Sequence, residues 1–143
     1  MKTLKQLLES KSKSLASVSP DQTVLRALEI MAEHDVGALL VLEGKNLAGV
    51  FSERDYARKL ILHGKTAAET KVSEVMSGKV VYVTLNRTIE ECMAIMTEKH
   101  FRHLPVLDDE HNVVGIVSIG DMIKETISQQ KFIISQLESY ITR

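Results

Sequence analysis

Val18-Ser-Pro-Asp-Gln-Thr-Val in the first half of the chain has a counterpart, Val83-Thr-Leu-Asn-Arg-Thr-Ile, in the second. The same shift lays Ala27-Leu-Glu-Ile-Met-Ala-Glu over Cys92-Met-Ala-Ile-Met-Thr-Glu, and Ala38-Leu-Leu-Val-Leu over His103-Leu-Pro-Val-Leu. One extra residue in the turn that begins at Asp108 then brings Gly49-Val-Phe-Ser-Glu-Arg-Asp over Gly115-Ile-Val-Ser-Ile-Gly-Asp. Identities include Val18/Val83, Thr23/Thr88, Ile30/Ile95, Met31/Met96, Leu39/Leu104, Val41/Val106, Gly49/Gly115, Ser52/Ser118 and Asp55/Asp121. The two halves are copies. A unit of this length cannot bury its own hydrophobic face, so each must stack on the other. With 143 residues, 44% of them hydrophobic, the chain has enough apolar surface for one compact domain or two tightly fused halves.

Each copy spells the same order of elements. A short β-favouring piece (Ala16 to Val18; Val80 to Val83) precedes a helix opened by Thr23 or Thr88. Those helices carry apolar stripes at Val24, Ala27, Leu28 and Met31, and at Ile89, Cys92, Met93 and Met96. Two strands follow, Leu39 to Leu42 and Leu47 to Phe51 in the first copy, Leu104 to Leu107 and Val113 to Val117 in the second. Ser52 and Ser118 then open a second helix. The predicted fold is α/β: two β-α-β-β-α repeats packed about a pseudo-two-fold axis, with flanking terminal helices. The spans are an N-terminal helix in 1–14, a first repeat in 15–65, a second in 72–128 and a C-terminal helix in 129–143. Leu4, Leu7 and Leu8 on the first terminal helix, and Ile127, Ile134, Leu137 and Ile141 on the last, form apolar stripes that call for a partner.

Composition removes several function classes. Lys and Arg number 18 against 19 Asp and Glu, so no general field draws in nucleic acid or anionic lipid. No run approaches the length of a membrane helix, and the polar start is no secretory leader; the chain reads as cytoplasmic. The single cysteine, Cys92, has no partner for an internal disulfide and reads as a small buried hydrophobe. There is no nucleophile with a matched base and acid and no phosphate-binding Gly-rich loop, so the sequence does not argue for an enzyme.

The doubled G-h-h-S-x-x-D motif supports two readings. One is a helix capping box, with Ser taking the amide of Asp and Asp taking the amide of Ser. The other is a ligand site, in which the helix start and hydroxyl meet a phosphate and the carboxylate accepts the hydroxyls of a ribose. Arg54 and Arg58 lie one turn apart, as a polyphosphate clamp or a solvated face. Arg102 and His103 open a strand where the first copy has Gly37 and Ala38. His100 and His103 are spaced as two metal ligands but lack a third.

Order and motif together resemble a tandem pair of CBS (cystathionine β-synthase) domains, on h-x-P-x-x-T-V, on h-P-V-h-D at Leu104 to Asp108, and on G-h-h-S-x-x-D in both copies. The resemblance implies a stand-alone regulatory module that binds AMP, ATP, NAD or S-adenosylmethionine between the repeats and signals to an unknown protein effector by changing shape. It also implies a homodimer that closes a four-module ring. The ligand set it implies is Ser118, Ile119, Gly120, Asp121, Arg102, His103, Val81, Ser52, Asp55, Arg54 and Arg58. The alternatives are a scaffolding dimer whose sites are vestigial and a subunit that assists an enzyme in trans. The copies differ inside the motif. Ile119-Gly120 suits the flat face and close approach of adenosine, whereas Glu53-Arg54 suits anionic oxygens, so the tight site is expected at Asp121, with the phosphates pointing to the cleft where Arg102, His103 and Arg54 converge.

Overall fold

A computed structural model describes residues 2–10 and 15–142. Helix α1 (Leu4–Ser10) is followed by β1 (Ser17–Val18), α2 (Val24–His34), β2 (Ala38–Glu43) and β3 (Asn46–Ser52). A broken helix comes next: α3 (Glu53–Asp55) widens into a π turn over Tyr56–Leu60 and tightens into a 3-10 turn over Ile61–His63. Short α4 (Val72–Val75) leads into β4 (Val83–Thr84), α5 (Ile89–Lys99), β5 (His103–Leu107), β6 (Val113–Ser118) and long α6 (Ile119–Ile141). Each repeat holds a three-stranded sheet, β1-β2-β3 or β4-β5-β6. The first pair in each is parallel across a helix and the second is an antiparallel hairpin. Even the register shift recurs, between Val41 and Leu42 and between Val106 and Leu107.

The helices start where the sequence predicts. Thr23 Oγ1 accepts the amide of Arg26, and Thr88 forms a full capping box with Glu91. Both helices end on a left-handed residue at equivalent places, Asp35 (φ 52°) and His100 (φ 60°). Their stripes, with Ile30 added, bury against one face of each sheet. The opposite face of β2 is also buried through Ala38 and Leu40, as is Pro105 on β5, because there the two sheets meet.

Three expectations change. The stripe of α1 needs no outside partner: Leu4 and Leu7 are buried in the core of the second repeat. Leu4 N donates to Arg87 O, Lys5 N to Leu85 O, and Ile89 N to Lys2 O, at 2.9–3.1 Å. The first repeat is completed in the same way by α4, an element the sequence reading missed. Val72 N donates to Gln22 O, Ser73 N to Pro20 O, and Val24 N to Thr70 O, at 2.9–3.0 Å. Each repeat is thus closed by the helix that leads into the other one. Of the expected helix span 1–14, Leu4–Ser10 is helical, and residues 11–14 lie outside the described residues. The break expected at 128/129 falls inside α6, which runs unbroken for 23 residues, because no proline or glycine interrupts it after Gly120.

The crossing explains the glycine that heads each motif. A Cβ at Gly49 would lie 2.6 Å from Ser77 O, and that backbone is clamped by two hydrogen bonds to Val50. At Gly115 a Cβ would meet the end of the Leu8 side chain, Cδ2 at 3.0 Å and Cδ1 at 3.2 Å. A side-chain tip yields where a paired backbone does not. Gly49→Ala is therefore predicted to lower stability by about 1–3 kcal/mol and Gly115→Ala by less than about 1 kcal/mol, measured by urea unfolding at unchanged m-value. Equal losses would show that the Ser77 crossing moves as freely as Leu8.

Candidate functional site

Between the repeats opens a cleft of about 410 Å³. Repeat 1 contributes Gly37, Val50, Ser52, Glu53, Arg54 and Asp55; the crossing segment contributes Ser77, Lys79, Val80 and Val81; repeat 2 contributes His100, Phe101, Arg102, His103 and Pro105. Six of the sequence candidates therefore share one cavity: Ser52, Arg54, Asp55, Val81, Arg102 and His103. Arg58 stands outside the lining but close enough to act on Arg54. Ser118, Ile119, Gly120 and Asp121 are also outside it. The cleft thus opens beside the Ser52–Asp55 box and not beside the box where the tight site was expected.

Both S-x-x-D motifs are closed as caps. Ser52 N donates to Asp55 Oδ2 at 2.9 Å and Asp55 N to Ser52 Oγ at 3.2 Å; the equivalent bonds at Ser118 and Asp121 are 2.9 and 3.0 Å. The first helical amides are also engaged, Glu53 N by Gly37 O at 3.1 Å and Ile119 N by Arg102 O at 2.8 Å. Fewer amides are free for a ligand than the motif alone suggests, so side chains must supply the recognition. Asp55 Oδ1 faces Lys59 Nζ at 3.2 Å, and Lys59 Nζ also donates to Val75 O.

The side chains crowd positive charge at the cleft. The Arg102 guanidinium, and after it Arg58, pushes the pKa of Arg54 below its ordinary value, with Asp55 opposing. None of Arg54, Arg58 and Arg102 forms an ion pair with another described residue. Lys79 adds a further cation to the lining. Glu53 and Asp55 lie in the same lining but form no ion pair with these arginines, and like charges held together in this way are an arrangement that an anion relieves.

The asymmetry between the copies gathers on one side. Arg54 comes from the helix start of repeat 1 and Arg102 from the strand start of repeat 2, and the packing of the halves brings them together. The corresponding residues of the opposite copies are Gly120 and Gly37. The sequence reading expects Arg102, His103 and Arg54 to meet at the cleft, but around a nucleotide seated by Asp121. It does not name Lys79, Val80, Phe101 and Pro105 as lining residues. For Pro105 the signal was available in h-P-V-h-D; for Lys79 there was none, because only the crossing at Ser77 brings that segment over the cleft. His100 and His103 both line the cavity, yet no group of three or more potential metal ligands occurs among the described residues. Among those residues, too, no helix is long and apolar enough to cross a membrane.

His103 stands where the two halves face each other. A Cβ on Gly37 would lie 3.9 Å from its Nε2, and it feels Asp121, Arg102 and Asp55. Burial lowers its pKa from 6.5, more than the carboxylates raise it. The folded protein therefore binds fewer protons here than the unfolded chain between those two values. The contribution of His103 to stability is complete above pH 6.5 and is lost as pH falls from there towards the folded value. His103→Gln is predicted to flatten the stability profile between pH 7.5 and 5.5, measured by urea unfolding. A variant whose slope matches that of the parent would remove His103 as a source of acid sensitivity.

Known proteins share this fold. The model of the CBS domain family matches residues 6–62 and 72–128. The mitochondrial CBS domain-containing protein CBSX3 of Arabidopsis thaliana is 35% identical over 97% of this chain and 71% of its own length. The crystal structure of a CBS domain, NE2398, superposes with a TM-score of 0.83 at 46% identity, covering 88% of this chain and 98% of that one. That of CBSX2 in complex with AMP superposes at 0.71 with 25% identity, over 90% and 98% of the two chains.

Proposed function

This chain belongs to the CBS domain family, and on that premise we propose that it is a non-catalytic regulatory module that binds an adenine nucleotide in the cleft between its repeats, 15–65 and 72–128. The convergence of Arg54 and Arg102 on a cavity that also holds a Ser–Asp box, with Arg58 close by and none of the three in an ion pair among the described residues, carries the reading. The guanidiniums and Lys79 would take the phosphates and the Asp55 carboxylate the ribose, by exchanging its contact with Lys59. Val50, Val80, Val81, Phe101 and Pro105 would enclose the base. The solved complex of CBSX2 with AMP supports an adenosyl ligand. AMP, ATP, NAD and S-adenosylmethionine remain the candidates, and the cationic lining favours those with phosphate. Ser118, Ile119, Gly120 and Asp121 form the corresponding second position, with little charge to hold phosphate.

Because the lining comes from both repeats, a bound nucleotide would bridge them. It shifts the angle between the halves only by its differential affinity for the two states. A protein effector reading that angle completes the signal, and two copies of the chain form the four-module ring. The scaffolding reading has one observation in its favour: both Ser–Asp boxes are already closed as caps.

Asp55→Asn separates the two readings. Loss of charge-assisted bonds to the ribose is predicted to weaken AMP or ATP binding by about 30- to 1,000-fold, equivalent to roughly 2–4 kcal/mol. The lost cap costs only about 0.5–1 kcal/mol of stability. Calorimetry should give one tight event that weakens with salt and survives Asp121→Asn. No binding by the parent would favour the scaffold, and a tight event lost only in Asp121→Asn would move the site to the second box.

A further inference from the structure

The last helix continues past the body it belongs to. Up to Gln129 one face of α6 is held: Met122 is buried in the second core, Glu125 pairs with Lys2 at 2.9 Å, and the Thr126 hydroxyl donates to Met122 O. From Gln130 to Thr142 every residue is exposed. A projection of that length, roughly 20 Å at 1.5 Å per residue, is marginal as an isolated helix in water. Its stripe keeps a strict heptad. Ile127, Ile134 and Ile141 fall at a, and Ile123, Gln130 and Leu137 at d, all on the exposed side, with Ile141 78% exposed.

We propose that this stripe is the seam of a parallel, in-register coiled coil with α6 of a second copy, a contact that the ring closure proposed above does not by itself require. The pattern is self-complementary. Three β-branched a positions favour two strands, and the single polar core residue, Gln130, meets its own counterpart, where the two amides can satisfy each other. The flanking positions agree. In parallel register Lys131 faces Thr126 and Glu138 faces Ile133 of the other copy. Antiparallel pairing sets Lys131 against Lys131 and buries Gln130 against Ile134. This surface rests on the homodimer reading but names a contact away from the cleft and the sheets.

The test uses the full chain. Gln130→Cys, gently oxidised, is expected to give a cross-linked dimer in near-complete yield, because facing d positions in parallel register bring their Cα atoms within disulfide range. Cys92 is buried and supplies no competing thiol. The double variant Ile134→Lys, Leu137→Lys, both at exposed sites and checked for folding by circular dichroism, is expected to raise the dimer dissociation constant at least about 30-fold in analytical ultracentrifugation. A parent that sediments as a monomer at micromolar concentration overturns both the ring and the seam. A dimer that persists in the double variant, together with no cross-link through Cys at 130, overturns the seam alone.

Discussion

The backbone bonds that cross between the halves hold everything else in place. Leu4 and Val72 donate to Arg87 and Gln22, which are equivalent carbonyls just ahead of the two long repeat helices. Through them α1 closes the core of the second repeat and α4 that of the first. Neither core is complete without the helix that leads into the other repeat. The route also threads Ser77 across Val50, and so places Lys79, Val80 and Val81 over the cleft. The cleft is a by-product of how the halves are tied.

Much of this was legible in the sequence because local rules and the repeat agreed. Thr23, Thr88, Ser52 and Ser118 announced their helices by capping chemistry, and paired apolar runs around the turns at Glu43 and Asp108 marked both hairpins. What stayed hidden was non-local. The apolar face of α1 could be read, but nothing in its periodicity says which core it enters. The four-residue helix at Val72 is too short for periodicity to register. The π turn after Asp55 leaves no mark either, since Tyr56 to Leu60 would fit an ordinary helix as well.

The site divides in the same way. Ser52, Asp55, Arg54, Arg102, His103 and Val81 were found as residues, and the meeting of Arg102, His103 and Arg54 was expected, but around Asp121, whereas the cleft lies beside Asp55. The repeats were compared position by position, which assigns charge to one copy or the other. Charge in the folded protein belongs instead to a side of the axis, to which each copy contributes a different position. The counterparts of Arg54 and Arg102 in the other copies are Gly120 and Gly37, so two related boxes acquire unlike surroundings without any change in the fold.

The exchange of α1 and α4 has a consequence for how such a chain can arise. A single unit with its leading helix, made alone, would carry a helix that in this fold covers another sheet, and a sheet lacking its cover. Two such chains would satisfy each other only by trading those helices, as in a swapped dimer. Joining them end to end makes the trade internal. The tandem gene is then the covalent record of an association that a one-repeat ancestor would have had to make between separate molecules.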